Sequence, residues 1–98
     1  MNNFKEGSVR YIVFNENQKW HAVALEFNIV ETGDNPDATL YGLFEAVRGY
    51  IESAIKAGES NVLNQDVDTQ NERMWAGIKH NTNNKKLYAF GEHSVVFA

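Results

Sequence analysis

The chain contains no cysteine, a single proline and no apolar run approaching the roughly 18 residues that cross a bilayer. Without cysteine, a disulfide framework and a thiolate metal centre are both excluded, so the fold must rest on packing or on association between chains. The first seven residues, Met1-Asn2-Asn3-Phe4-Lys5-Glu6-Gly7, lack the apolar stretch of a signal peptide. These absences predict a soluble, cytoplasmic protein with no membrane partner. Basic residues are also scarce: nine Lys and Arg stand against thirteen Asp and Glu, for a net charge of −4. Such a field repels phosphate backbones. The densest basic stretch, Lys79-His80 followed by Lys85-Lys86, reads as a solvated face, and nucleic-acid binding is not expected.

The usual carriers of chemistry are missing too. His21, His80 and His93 stand alone, none spaced from another ligand as a metal site requires. There is no glycine-rich phosphate loop, no nucleophile elbow and no cysteine to pair with a histidine. Glu45 and Glu52 share a helical face, but it is the polar one, where surface charges belong. Catalytic, cofactor-binding and metal-binding residues are therefore expected to be none, and the protein is not expected to be an enzyme.

What is present is a pattern of strands and helices that fits one domain over residues 1–98. Residues 9–14, Val-Arg-Tyr-Ile-Val-Phe, form a β-branched and aromatic run that predicts a strand. The polar stretch 15–19 predicts a loop of about five residues, closing a hairpin with a second strand over 20–27. In that strand Trp20, Ala22, Ala24 and Glu26 alternate with His21, Val23, Leu25 and Phe27, and the second set is expected to face the helix. A third run at 29–32 completes a three-stranded antiparallel meander.

The strongest local signal follows. Asn35 is placed to cap a helix, Pro36 occupies the first turn where its missing N–H costs nothing, and Asp37 complements the dipole. Leu40, Leu43, Phe44, Val47, Ile51, Ala54 and Ile55 then recur at spacings of three and four. Gly58 supplies the left-handed stop, which sets a helix over 36–57. Residues 59–67 read as a surface connection. A short helix over 68–79 is capped by Asp68 and buries Met74, Trp75 and Ile78. Residues 81–86 are a polar turn, and 87–90 and 94–97 predict one or two short strands around Gly91. The fold class is α+β. Trp20, Trp75, Phe14, Phe27 and Phe44 are expected to serve the core rather than to stack bases.

Residues 11–52 resemble the HicB-like antitoxin domain. The resemblance is carried by the strand and turn, by Trp20-His21-Ala22-Val23-Ala24, and by Gly33-Asp34-Asn35 leading into a helix with Glu45-Ala46-Val47 and Tyr50-Ile51-Glu52. Where the family pattern has Thr or Ser after Gly-Asp, this chain has Asn35. The stretch Glu72-Arg73-Met74-Trp75 resembles a short helix that follows the domain in some stand-alone members. The resemblance implies a degenerate ribonuclease H-like fold without catalytic acids, which sequesters a small HicA-type ribonuclease toxin. The residues agree on the acids, since positions 9–14 contain no Asp or Glu that could begin a two-metal site. The elements after Gly58 follow the order helix then strands, which fits no separate DNA-binding domain. The expected function is a non-catalytic binding module whose acidic surface suits a basic partner. The alternative expectation is a homo-oligomer, a dimer, with no toxin and a small ligand held between subunits, because both faces of residues 20–27 are apolar and one helix covers only one.

Overall fold

In the computed structural model, which describes Asn2, residues 6–79 and residues 86–96, the chain first reverses at Asn17-Gln18. Both residues have positive φ, 55° and 64°, the backbone of a two-residue hairpin turn whose twist matches its strands. The turn joins β1 (Glu6–Glu16) to β2 (Lys19–Ala24) as an antiparallel pair. The polar stretch is thus not a five-residue loop, because Asn15, Glu16 and Lys19 pair as strand. β2 stops at Ala24 rather than at residue 27. Leu25–Phe27 form a 3-10 turn, closed by Asn28 at φ 54° with its N–H returning to the Leu25 carbonyl. β3 (Ile29–Gly33) then pairs antiparallel with β2, completing the expected meander.

β4 (Lys86–Val96) adds a fourth strand, antiparallel to β1, in the order β3-β2-β1-β4. It is one strand of eleven residues, longer than the one or two short ones expected. Gly91 does not break it, because Gly91 lies opposite Tyr11 and leaves room for that ring; a Cβ there would stand 3.0 Å from the Tyr11 hydroxyl. The irregularity falls earlier. Val13 pairs with Ala89 and Phe14 with Leu87, so Tyr88 is the extra residue of a bulge. His80, Lys85 and Phe97 lie outside the described residues.

α1 (Pro36–Ala57) has the bounds the sequence predicts. The Asn35 side chain accepts the Ala38 N–H at 3.0 Å, and Gly58 ends the helix at φ 69°. Its buried stripe, Leu43, Val47, Ile51 and Ala54, packs against Val9, Val13, Ala22 and Ala24 of the sheet. The face of β2 under α1 is therefore the alanine face, the reverse of the expectation. With apolar residues on both sides of the strand, alternation could not choose between them, and two alanines let a long helix approach closely.

The opposite face receives α2 (Thr69–Lys79), whose first turn is capped by Asp68 Oδ1 accepting the Gln70 N–H at 2.9 Å. Val67, Met74, Trp75 and Ile78 cover Ile12, Phe14, Val23 and Leu25. Both faces of β2 are thus occupied from within the chain, which removes the reason given above for a partner on that strand. Residues 59–67 are more than a surface connection. They contain a 3-10 turn, Ser60–Leu63, whose Leu63 is fully buried and whose Val62 carbonyl accepts the Tyr50 hydroxyl at 2.5 Å. Asn2 locks the same turn from the other side, donating Nδ2–H to the Leu63 carbonyl at 2.9 Å and exchanging two 2.8 Å hydrogen bonds with Asn64.

Candidate protein-interaction surface

Two groups of side chains hold the helices to the sheet and so decide what remains outside. The first is centred on Arg10, a cation in an otherwise apolar stretch of β1. Its Nε–H donates to Glu26 Oε2 at 2.6 Å, its backbone N–H to Glu26 Oε1 at 2.7 Å, and its two terminal nitrogens to Glu72 at 2.6 and 2.9 Å. The guanidinium also lies 5.3 Å from the Trp75 ring centroid. Its pKa is pushed up, foremost by the hydrogen bond to Glu72, while that same bond holds the Glu72 carboxyl below its usual range. Arg10 is permanently charged and held by both carboxylates, so its role is to fasten α2 rather than to meet a substrate.

The second group lies between α1 and β4. Tyr88 donates its hydroxyl to the Asp37 carboxylate in the first turn of α1, a contact that pushes the phenol pKa up. The Tyr88 ring meets Trp20 edge-on at 5.5 Å. Further along, His93 stacks on Phe44 at 4.1 Å and 14°, and Phe44 meets Tyr11 at 90°. On the α2 side, Phe90 meets Trp75 edge-on at 6.0 Å.

What these contacts leave uncovered is concentrated on β4. Leu87, Tyr88 and Phe90 are 37%, 46% and 49% exposed, half of the six large apolar residues exposed among those described. They stand on both sides of the strand, with Leu87 opposite Phe14 and Phe90 opposite Ile12 on the α2 side and Tyr88 on the α1 side. β4 is also terminal in the sheet order, so the peptide groups along its outer edge have no strand beside them among the described residues. An edge of this length with apolar flanks is a template for another strand.

The residues weighed from sequence do not converge. His21 stacks on Phe14 at 5.2 Å with Nε2 3.3 Å from the Glu16 carbonyl, whereas His93 is on β4 against Phe44. Glu45 and Glu52 are exposed on α1, where Glu52 meets Arg48 at 3.7 Å. Among the described residues no group of three or more His, Asp or Glu is placed to hold a metal ion, and no helix is long and apolar enough to cross a membrane. An open hollow of about 280 Å³ is lined by Asn28, Val30, Asp66, Asp68 and Asn71. No family model matches the chain, and no curated protein and no solved structure matches it.

Sequence reasoning passed over Arg10 and the flanks of β4. The signal for Arg10 was present: a lone cation between Val9 and Tyr11 in a strand pattern has to find carboxylates. Nothing comparable marked Leu87, Tyr88 and Phe90, since only strand order makes β4 an edge.

Proposed function

We propose that the chain is a non-catalytic protein-binding module of the HicB-like kind, acting in the cytoplasm to occlude a small, basic, HicA-type ribonuclease. The observation that carries the reading is the open edge of β4 with its exposed Leu87, Tyr88 and Phe90. A surface of this sort recognises other polypeptides, through main-chain pairing and apolar anchors, better than it recognises small molecules. The net charge of −4 favours a basic partner and would speed the encounter. The meander followed by a capped helix at Gly33-Asp34-Asn35 agrees with the order of elements that the resemblance implies.

Affinity purification of the tagged full chain from its native host tests this. The expected result is recovery of a short basic protein, encoded in a neighbouring reading frame, whose RNA cleavage the chain suppresses. Repeated recovery of the chain alone, with no basic reading frame beside its gene, counts against the reading.

A further inference from the structure

We infer that α2 is a removable cover: in the native protein it lifts from the sheet as a unit, leaving α1 and the four strands in place, with the Arg10–Glu72 pair as its catch. The inference goes beyond the toxin reading and makes no use of the outer edge of β4. It begins with how differently the two helices are held. α1 is 22 residues long and buries Leu43, Val47, Ile51 and Ala54 to 6% exposure or less. α2 has eleven residues, and none from Thr69 to Ile78 is fully buried. That length falls below the roughly 12–15 residues at which an isolated helix becomes even marginal, and Thr69, Asn71 and Gly77 are poor helix formers. α2 persists only because the sheet holds it.

The hold is light. Met74, Trp75 and Ile78 reach the sheet as half-buried side chains. Among the described residues the ion pair between α2 and the sheet is Arg10–Glu72, whose Glu72 side chain is 49% exposed. The connection before the helix is fixed more firmly. The Gln65 N–H donates to the Glu26 carbonyl at 3.0 Å, and the Asn28 side chain bonds to the backbone of Asp66 and Asp68. Opening therefore begins beyond Asp68 and spares both 3-10 turns, as expected of a separate cooperative unit. What it bares is an apolar face. Ile12, Phe14, Val23 and Leu25 are each 5% exposed or less beneath α2. Phe90 and Leu87, paired opposite Ile12 and Phe14, continue that face onto β4. The closed form hides the first four of these six side chains, so the opening equilibrium of one lightly held helix sets how much of the face is shown.

Because the chain has no cysteine, one introduced thiol can report on each face. Val13 and Val23 are both buried, Val13 in the cluster under α1 and Val23 in the cluster under α2. The same Val→Cys change therefore reads both sides of the sheet. Labelling by dithiobis-nitrobenzoate, under conditions where the rate follows the opening equilibrium, is expected to be at least about tenfold faster for Val23→Cys than for Val13→Cys. Its urea dependence should be less than about half as steep, since lifting one helix exposes less surface than unfolding the chain. Adding Glu72→Gln to Val23→Cys raises the rate about two- to threefold, and adding Trp75→Ala raises it about thirtyfold. Amide exchange in the unaltered chain repeats the comparison without a thiol: residues 69–79 exchange at least about tenfold faster than residues 43–54, again with the shallower urea slope. Equal rates and equal slopes on the two faces overturn the proposal, and so does a Val23→Cys rate that Glu72→Gln leaves unchanged. Neither result bears on partner capture at β4, which the purification experiment reads separately.

Discussion

Arg10 on β1 and Glu72 on α2 face each other through two parallel N–H···O contacts of 2.6 and 2.9 Å, although they are 62 residues apart in sequence. The pair is bidentate, the geometry in which an arginine and a carboxylate bind best. Since Glu26 accepts the Nε–H and the backbone N–H, Arg10 connects the 3-10 turn, the sheet and α2 in one network. Replacing Arg10 by Ala leaves the half-buried Glu26 without its cation, and is expected to cost about 1–3 kcal/mol in urea unfolding. Glu72→Gln, at an exposed partner, should cost well under about 1 kcal/mol.

The same pair gives a pH dependence of known sign. The Glu72 carboxyl titrates below its unfolded value in the folded chain, so its contribution is complete above the ordinary carboxylate pKa and is lost as pH falls through the lowered one. Unfolding free energy should therefore drop on acidification below about pH 4.5, and the drop should be shallower in Glu72→Gln. An equal slope in the variant would remove Glu72 from the acid response.

Tyr88 gives the opposite case. Its phenol donates to Asp37, which raises its pKa, so the contact is present below the ordinary phenol value and is lost as pH rises through the raised one. In a spectrophotometric phenol titration, Asp37→Ala should move the Tyr88 ionisation to lower pH.

α2 rests on the sheet through half-buried side chains, foremost Trp75. Trp75→Ala is expected to cost about 2 kcal/mol, less than a fully buried tryptophan. The loss should be local. Hydrogen exchange should speed up in residues 69–79 while α1 keeps its protection, as expected when one element opens separately. Uniform acceleration throughout the chain would show instead that the two helices open together.

Glycine positions offer a paired test. A Cβ on Gly33 would lie 2.5 Å from Thr39 Oγ1, which is buried and donates to the Asn35 carbonyl at 2.7 Å. Gly33→Ala is therefore expected to destabilise by about 1–2 kcal/mol through that hydroxyl. Gly42 and Gly49 lie inside α1 with nothing within 4 Å of an added Cβ. Alanine at either should stabilise by about 0.5–1 kcal/mol. Thermal unfolding of the three variants decides both claims.

Local chemistry in the sequence determined α1 fully. Asn35, Pro36 and Gly58 act on their own backbone neighbours, and the stripe from Leu43 to Ala54 has a period no strand could use. The meander, the cap of α2 at Asp68 and its apolar edge at Met74, Trp75 and Ile78 were legible for the same reason. Only the tertiary structure decided which face of β2 met which helix, because Ala22 and Val23 are both apolar and alternation carries no sign. It also decided that residues 86–96 form one strand: Gly91 reads as a break until Tyr11 stands opposite it. The exposure of Leu87, Tyr88 and Phe90 belongs to the same category. A strand's own residues set its alternation, but being at the edge of a sheet is a property of its neighbours, and those are fixed only when β1, far earlier in the chain, pairs with it.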